Sequence, residues 1–220
     1  MVDIIISSLV AVLAMIVCCC YLKLNKIKSS KNIGALLPRN FKQTIFGIGM
    51  LLSSVVITLI LSLLYDATWL FTIKRLIICI VLWPIAFIDY RKHIIPNKIL
   101  LSLLIVRSLI AIVEMMMDLN LAKTEFLSSL IAAVGVLILL CVMRLIVKNG
   151  IGFGDVKLFA VLGLFLGLKG IVSTMFLSFV VSFFVSIFLL VSKRKNKKDQ
   201  IAFAPSILVG TLLSVIFLGA

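Results

Sequence analysis

Long apolar runs broken by short polar segments set the pattern of this chain. A run near 20 residues is the length of a helix that crosses a ~30 Å hydrocarbon core. Runs of Leu, Ile, Val and Phe predict eight transmembrane helices, over residues 4–22, 44–64, 72–89, 98–117, 126–147, 155–168, 170–191 and 201–219. The sixth is short, since 14 residues rise only ~21 Å as a helix. A barrel would need short strands alternating in polarity, and no such alternation is evident. The expected fold is therefore an all-α polytopic bundle. A first helix and a basic loop would occupy residues 1–43, and a membrane-embedded domain residues 44–220.

The polar segments orient the bundle. After the first run come Lys23, Lys26, Lys28, Lys31, Arg39 and Lys42 with no acid among them. After the seventh come Lys193, Arg194, Lys195, Lys197 and Lys198 against Asp199 alone, and after the third Arg91 and Lys92, with Lys98 next. The opposite side carries Asp3, Asp66, Asp118 and Glu125, with Glu114 nearby; Lys74, Arg75, Lys123 and Lys169 run against the trend. Basic loops stay in the cytoplasm. Eight spans then leave both termini outside and put Asp89 and Asp155 at cytoplasmic helix ends.

Composition narrows the class further. The chain is 63% hydrophobic and 14% charged, with mean hydropathy +1.31. Soluble domains sit near half apolar and about a quarter charged. The net charge of +14 lies in short loops with few aromatics, which favours anionic membrane lipids as partners and gives no support to nucleic acid. Cys18, Cys19, Cys20, Cys79 and Cys141 make no Cys-x-x-Cys pair, so no metal site, redox motif or cofactor is expected. No basic segment precedes the first run, which argues against a cleaved signal peptide.

An acid at the edge of a membrane core is costly and marks a functional site by default. Asp155 ends the glycine-rich stretch Gly150-Ile151-Gly152-Phe153-Gly154 and opens a helix. Gly152 and Gly154 permit backbone conformations and close approaches that a Cβ resists, which suits an extended peptide presenting its scissile carbonyl. The plainer reading is a helix-capping Asp after a flexible turn. Asp89 lies before Ile95-Pro96, where a helix break is favoured, so it belongs to a last helical turn. Its plainer reading is a headgroup-level Asp paired with Arg91 or Lys92. His93 reads first as a headgroup-level side chain and second as a proton relay. Trp83 reads as a packing residue.

Two carboxyls that meet within about 3 Å cannot both ionise readily and share a proton. One can then activate water against a peptide carbonyl while the other donates to its oxygen. Because such a pair titrates as a unit, acid and base are not assigned to either Asp.

Three stretches carry a resemblance to a known family. Residues Phe87-Ile88-Asp89-Tyr90-Arg91-Lys92-His93-Ile94-Ile95-Pro96-Asn97 resemble the first-aspartate segment of the type IV prepilin peptidases. Gly152-Phe153-Gly154-Asp155-Val156-Lys157 is similar to their Gly-x-Gly-Asp-x-Lys motif, and Ala202 to Gly210 to their Pro-Phe-Gly-Pro-type segment. The resemblance implies a membrane aspartic endopeptidase that removes the basic leader of prepilin-like or pseudopilin-like proteins, ahead of their apolar helix, at the cytoplasmic face. It implies Asp89 and Asp155 as the catalytic pair, Gly152 and Gly154 shaping the substrate strand, Lys157 close by as modulator or lipid anchor, and Pro205 turning the last segment. Ala202 and Ala204 stand where the family usually has Pro and Gly. Bifunctional members carry a Cys-rich methylation-associated domain between the first two spans. Residues 23–43 hold no Cys, so a short form without methyltransferase activity is expected.

Two other readings remain. Presenilin-like and signal-peptide-peptidase-like proteases also use a Gly-x-Gly-Asp turn, but carry a Tyr-Asp pair and a Pro-Ala-Leu motif. Here Ile88 precedes Asp89, and Pro205-Ser206-Ile207 stands in the last run. A proton- or cation-coupled transporter would need midplane carboxylates and paired halves.

Overall fold

The computed structural model describes residues 39–65, 68–146, 151–192 and 201–219. Among them lie six helices and no strand: α1 (Arg39–Leu64), α2 (Trp69–Lys92), α3 (Asn97–Met117), α4 (Leu119–Ile146), α5 (Phe153–Val191) and α6 (Ala204–Leu218). The expected first span, Cys18 to Cys20 and most of the basic loop fall outside the described residues. Four helices, α2 to α5, are long and apolar enough to cross a membrane. The apolar part of α1 (Ile48–Leu61) and the whole of α6 are shorter.

The sixth and seventh expected spans are one element, α5, broken at Gly167. At φ 70° and ψ −176° its backbone is a conformation open essentially to glycine alone. Phe159 and Phe179 stand 20 residues apart, ~30 Å along a straight helix. Their ring centroids are 6.3 Å apart, so the chain reverses and its two limbs, 153–166 and 168–191, lie side by side.

That reversal interrupts a backbone hydrogen bond, and both halves find new partners. The Leu168 N–H donates to Ser128 Oγ (3.4 Å), and Arg107 Nε donates to the Leu164 carbonyl (2.7 Å). Arg107 also donates to Glu114 Oε2 (2.9 Å), two turns along α3, with both side chains buried. A basic group on the last carbonyls of a helix is favoured there twice over, by hydrogen bonding and by the helix dipole.

Turn chemistry explains the other joints. Pro96 enters α3 in an extended conformation, and its carbonyl accepts the Ile99 N–H. Asp118 alone links α3 to α4, and its carboxylate accepts the Asn120 and Leu121 N–H groups as an N-terminal cap.

The chain forms two compact units, residues 1–84 and 85–220. Within the first, Trp83 fits against Gly49, where a Cβ would come within 2.7 Å of its ring, and donates to Ser53 Oγ (3.2 Å). Trp83 is thus a packing residue. Within the second, small residues let the helices touch, as is usual where lipid leaves little hydrophobic drive between them. A Cβ on Gly163 would meet the Ala133 backbone at 3.0 Å, and one on Gly210 would collide with Ser178. Buried hydroxyls return to their own helices, Ser178 to the Thr174 carbonyl and Thr211 to that of Ile207. The core runs through Leu140, Leu158, Phe159, Leu162, Ile207 and Val215.

Candidate active site

The three stretches singled out in the sequence meet at one end of the second unit. Asp89 sits on the last turn of α2 and is buried. Its Oδ2 accepts the Ala204 N–H at 3.0 Å, in the first turn of α6. The free N–H groups of a helix start favour a carboxylate there. Pro205 supplies no such donor. It occupies the first turn of α6, where its fixed φ suits helix entry. The donor is backbone, so an Ala at 204 serves as well as a Gly would.

Asp155 lies in the first turn of α5, half-buried, with its N–H on the Gly152 carbonyl (3.1 Å). Its carboxylate curls back over Gly152: a Cβ there would come within 2.8 Å of Oδ2. Asp89 and Asp155 are close enough to interact electrostatically. Gly154 faces Ile95, whose Cβ would stand 3.1 Å from an added Cβ. Neither Gly152 nor Gly154 is among the positive-φ residues, so of the two properties expected of them, it is close approach that the structure uses.

Lys157 bridges the same stretches from outside. Its ammonium lies 3.4 Å from Asn97 Oδ1 and 5.3 Å from the Phe153 ring centre, and it is exposed. It therefore ties α5 to the start of α3, and its two contacts are an amide and a ring. Phe159, one turn on from Asp155, clusters with Phe179 and with Phe203, the residue before Ala204, at centroid distances of 5.5 to 6.3 Å. Arg91 stacks on Phe87 (4.4 Å) rather than pairing with an acid among the described residues. His93 is exposed, at φ 52°, and its N–H closes α2 on the Asp89 carbonyl (2.8 Å). Its link to Asp89 is through the backbone.

Sequence reasoning missed the Ala204 N–H and Ile95. Backbone donors carry no sequence signal, and Ile95 read only as the residue before Pro96.

A model of the type IV leader peptidase family matches residues 76–190, just over half of the chain. The chain belongs to the type IV leader peptidase family. The match takes in Asp89 and Asp155 and stops short of the 202–210 stretch. A prepilin leader peptidase/N-methyltransferase of Bacillus subtilis (strain 168) is 29% identical over 133 residues, 60% of this chain and 51% of that protein. The chain thus spans about half the length of this curated relative. No solved structure matches it. Family membership and the apolar helices make this a multi-pass membrane protein of a protease family.

Proposed function

We propose that this protein is a membrane aspartic endopeptidase that removes the basic leader from prepilin-like or pseudopilin-like substrates, with Asp89 and Asp155 as its catalytic pair. One observation carries the reading: Asp89, at the end of α2, and Asp155, at the start of α5, 66 positions apart in sequence, come within electrostatic reach of each other in an apolar bundle. Two like carboxyls held together are suited to share one proton.

The ionised member takes a proton from water as the water oxygen bonds to the scissile carbonyl carbon. The protonated member donates to the carbonyl oxygen. Collapse of the tetrahedral intermediate then breaks the C–N bond, and a proton passes to the leaving amine. The Ala204 N–H holds Asp89 in place, and the bare Gly152 leaves room for the Asp155 carboxyl. Gly154 brings the first turn of α5 against Ile95, and the two glycines are taken to shape the path of an extended peptide. The cluster of Phe159, Phe179 and Phe203 suits the apolar segment that follows the leader.

We take the site to lie at the cytoplasmic face of the cell membrane, with anionic lipid beside it, because the basic loops favour that side. Residues 23–43 lack the Cys pairs of the methylation-associated domain, so cleavage without N-methylation is proposed.

The test is leader cleavage by the full chain in membranes, followed by gel shift and by mass spectrometry of the product, for wild type, Asp89→Asn and Asp155→Asn. Wild type is expected to cut ahead of the apolar segment and both variants to be inactive. Wild-type rates in either variant would overturn the pair. A cut inside the apolar segment would instead favour an intramembrane protease. Transfer of a labelled methyl group from S-adenosylmethionine to the product would overturn the short-form reading.

A further inference from the structure

The geometry points to Arg144 as the residue that positions Asp155, by clamping the turn on either side of Gly152. This rests on the reading of Asp155 as half of the catalytic pair.

Arg144 stands in the last turn of α4. A basic side chain there would ordinarily serve the free carbonyls of its own helix end. Arg144 instead reaches seven residues ahead, where Nη1 donates to the Ile151 carbonyl at 2.8 Å. Its guanidinium also lies 5.2 Å from the centre of the Phe153 ring. Ile151 and Phe153 flank Gly152, and Gly152 is the residue over which the Asp155 carboxylate folds. Among the described residues no carboxylate pairs with Arg144, so its polar contact is spent on the turn.

The consequence concerns the reactive carboxyl directly. The Asp155 N–H bonds the Gly152 carbonyl, so a shift of the 151–153 turn carries the first turn of α5 with it. Asp89 is fixed independently, by the Ala204 N–H of α6. The separation of the two carboxyls is therefore set by two unrelated anchors, and Arg144 is the one on the Asp155 side. Lys157 approaches the same Phe153 ring but bonds outward to Asn97, so it does not replace the hold on Ile151. Lysine at 144 would keep a charge over the ring and one donor; glutamine would keep a donor only.

Two measurements on the full chain test this. The first is steady-state leader cleavage by Arg144→Gln and Arg144→Lys. A displaced reacting group lowers turnover with little effect on binding, so Arg144→Gln should lose ~10- to 100-fold in kcat with KM within about twofold. Arg144→Lys should recover at least about a third of wild-type kcat, since it restores both contacts in weaker form. The second does not depend on activity. In a background with the native cysteines replaced by serine, Asp89→Cys and Asp155→Cys are cross-linked in membranes with a short bis-thiosulfonate. Adding Arg144→Gln should slow cross-linking several-fold, and Arg144→Lys less.

Equal cross-linking with and without Arg144 would overturn the inference, whatever the enzyme does. A KM rise at unchanged kcat would overturn it also, because Arg144 would then be a substrate contact. If cross-linking depends on Arg144 while the native-cysteine wild type cleaves no prepilin-like substrate, the clamp stands and the peptidase reading falls.

Discussion

Two pairs of ionisable side chains sit in the same helical unit, and they differ in what holds them. Arg107 and Glu114 are opposite charges two turns apart on α3, and their shared task is the Leu164 carbonyl freed at the α5 reversal. Asp89 and Asp155 are like charges from α2 and α5. Nothing in their own chemistry draws them together, so backbone does it: the Ala204 N–H on one side and the glycine turn on the other. The first pair is held together by its own charges. The second is held by the fold against its charges, and such tension is what a proton-sharing site uses.

Single substitutions should separate the two most sharply. Asp89→Asn or Asp155→Asn is expected to lower cleavage by at least roughly 10³-fold. The thermal midpoint of the purified protein should hold or rise, because one charge leaves a like-charged pair. Arg107→Met should do the reverse. It leaves Glu114 buried without its cation and the Leu164 carbonyl without its donor, a loss of about 3–5 kcal/mol. Accumulation and thermal midpoint should fall, while kcat per folded molecule stays near wild type. The double variant Arg107→Met, Glu114→Leu should regain most of the stability. A destabilised Asp variant, or an inactive but stable Arg107→Met, would erase the distinction.

The two motif glycines repeat the contrast at smaller scale. An alanine at 152 would push against the Asp155 carboxylate itself, so cleavage should fall by roughly 10- to 100-fold with stability shifted by less than about 1 kcal/mol. An alanine at 154 would press on Ile95, a branched side chain buried between α2 and α3, and should cost about 1–2 kcal/mol of stability. Reversed ranking of the two by activity would mean that Gly154, not Gly152, governs the carboxyl.

How much of this was legible beforehand depends on whether a feature is local. Asp89, Asp155 and their glycines announced themselves, because an acid or a bare backbone beside a membrane run is costly or rare. The expected sixth and seventh spans part at Lys169, two residues past the reversal at Gly167. Arg107 was overlooked although it stands inside an apolar run, seven residues from Glu114. That spacing alone places both on one helix face. Their target could not be read, since the Leu164 carbonyl becomes free only when the tertiary reversal breaks its hydrogen bond. Arg144 was hidden for a similar reason: its partners are a main-chain oxygen and a ring across a turn. The expected first span lies outside the described residues, α1 covers the whole expected second span, and α6 is a few residues shorter than its run.

Two residues with positive φ should respond to substitution with opposite signs. At Gly167 the nearest atom to an added Cβ is Ser128 Oγ, at an ordinary contact distance of 3.6 Å. Gly167→Ala therefore tests backbone strain alone, and about 1–3 kcal/mol of stability should be lost. His93 is a residue with a side chain in the left-handed conformation glycine favours at helix ends. His93→Gly keeps the N–H bond to the Asp89 carbonyl and removes the strain, so stability should rise by roughly 0.5–1 kcal/mol. The same variant decides between the two sequence readings of His93. If the imidazole is an exposed headgroup-level side chain, kcat should stay within about twofold while the thermal midpoint climbs. A gain in stability with a large loss of kcat would instead give the imidazole a proton to carry. It would also add a third ionisable member to the like-charged pair, on the side of Asp89 that the backbone already holds.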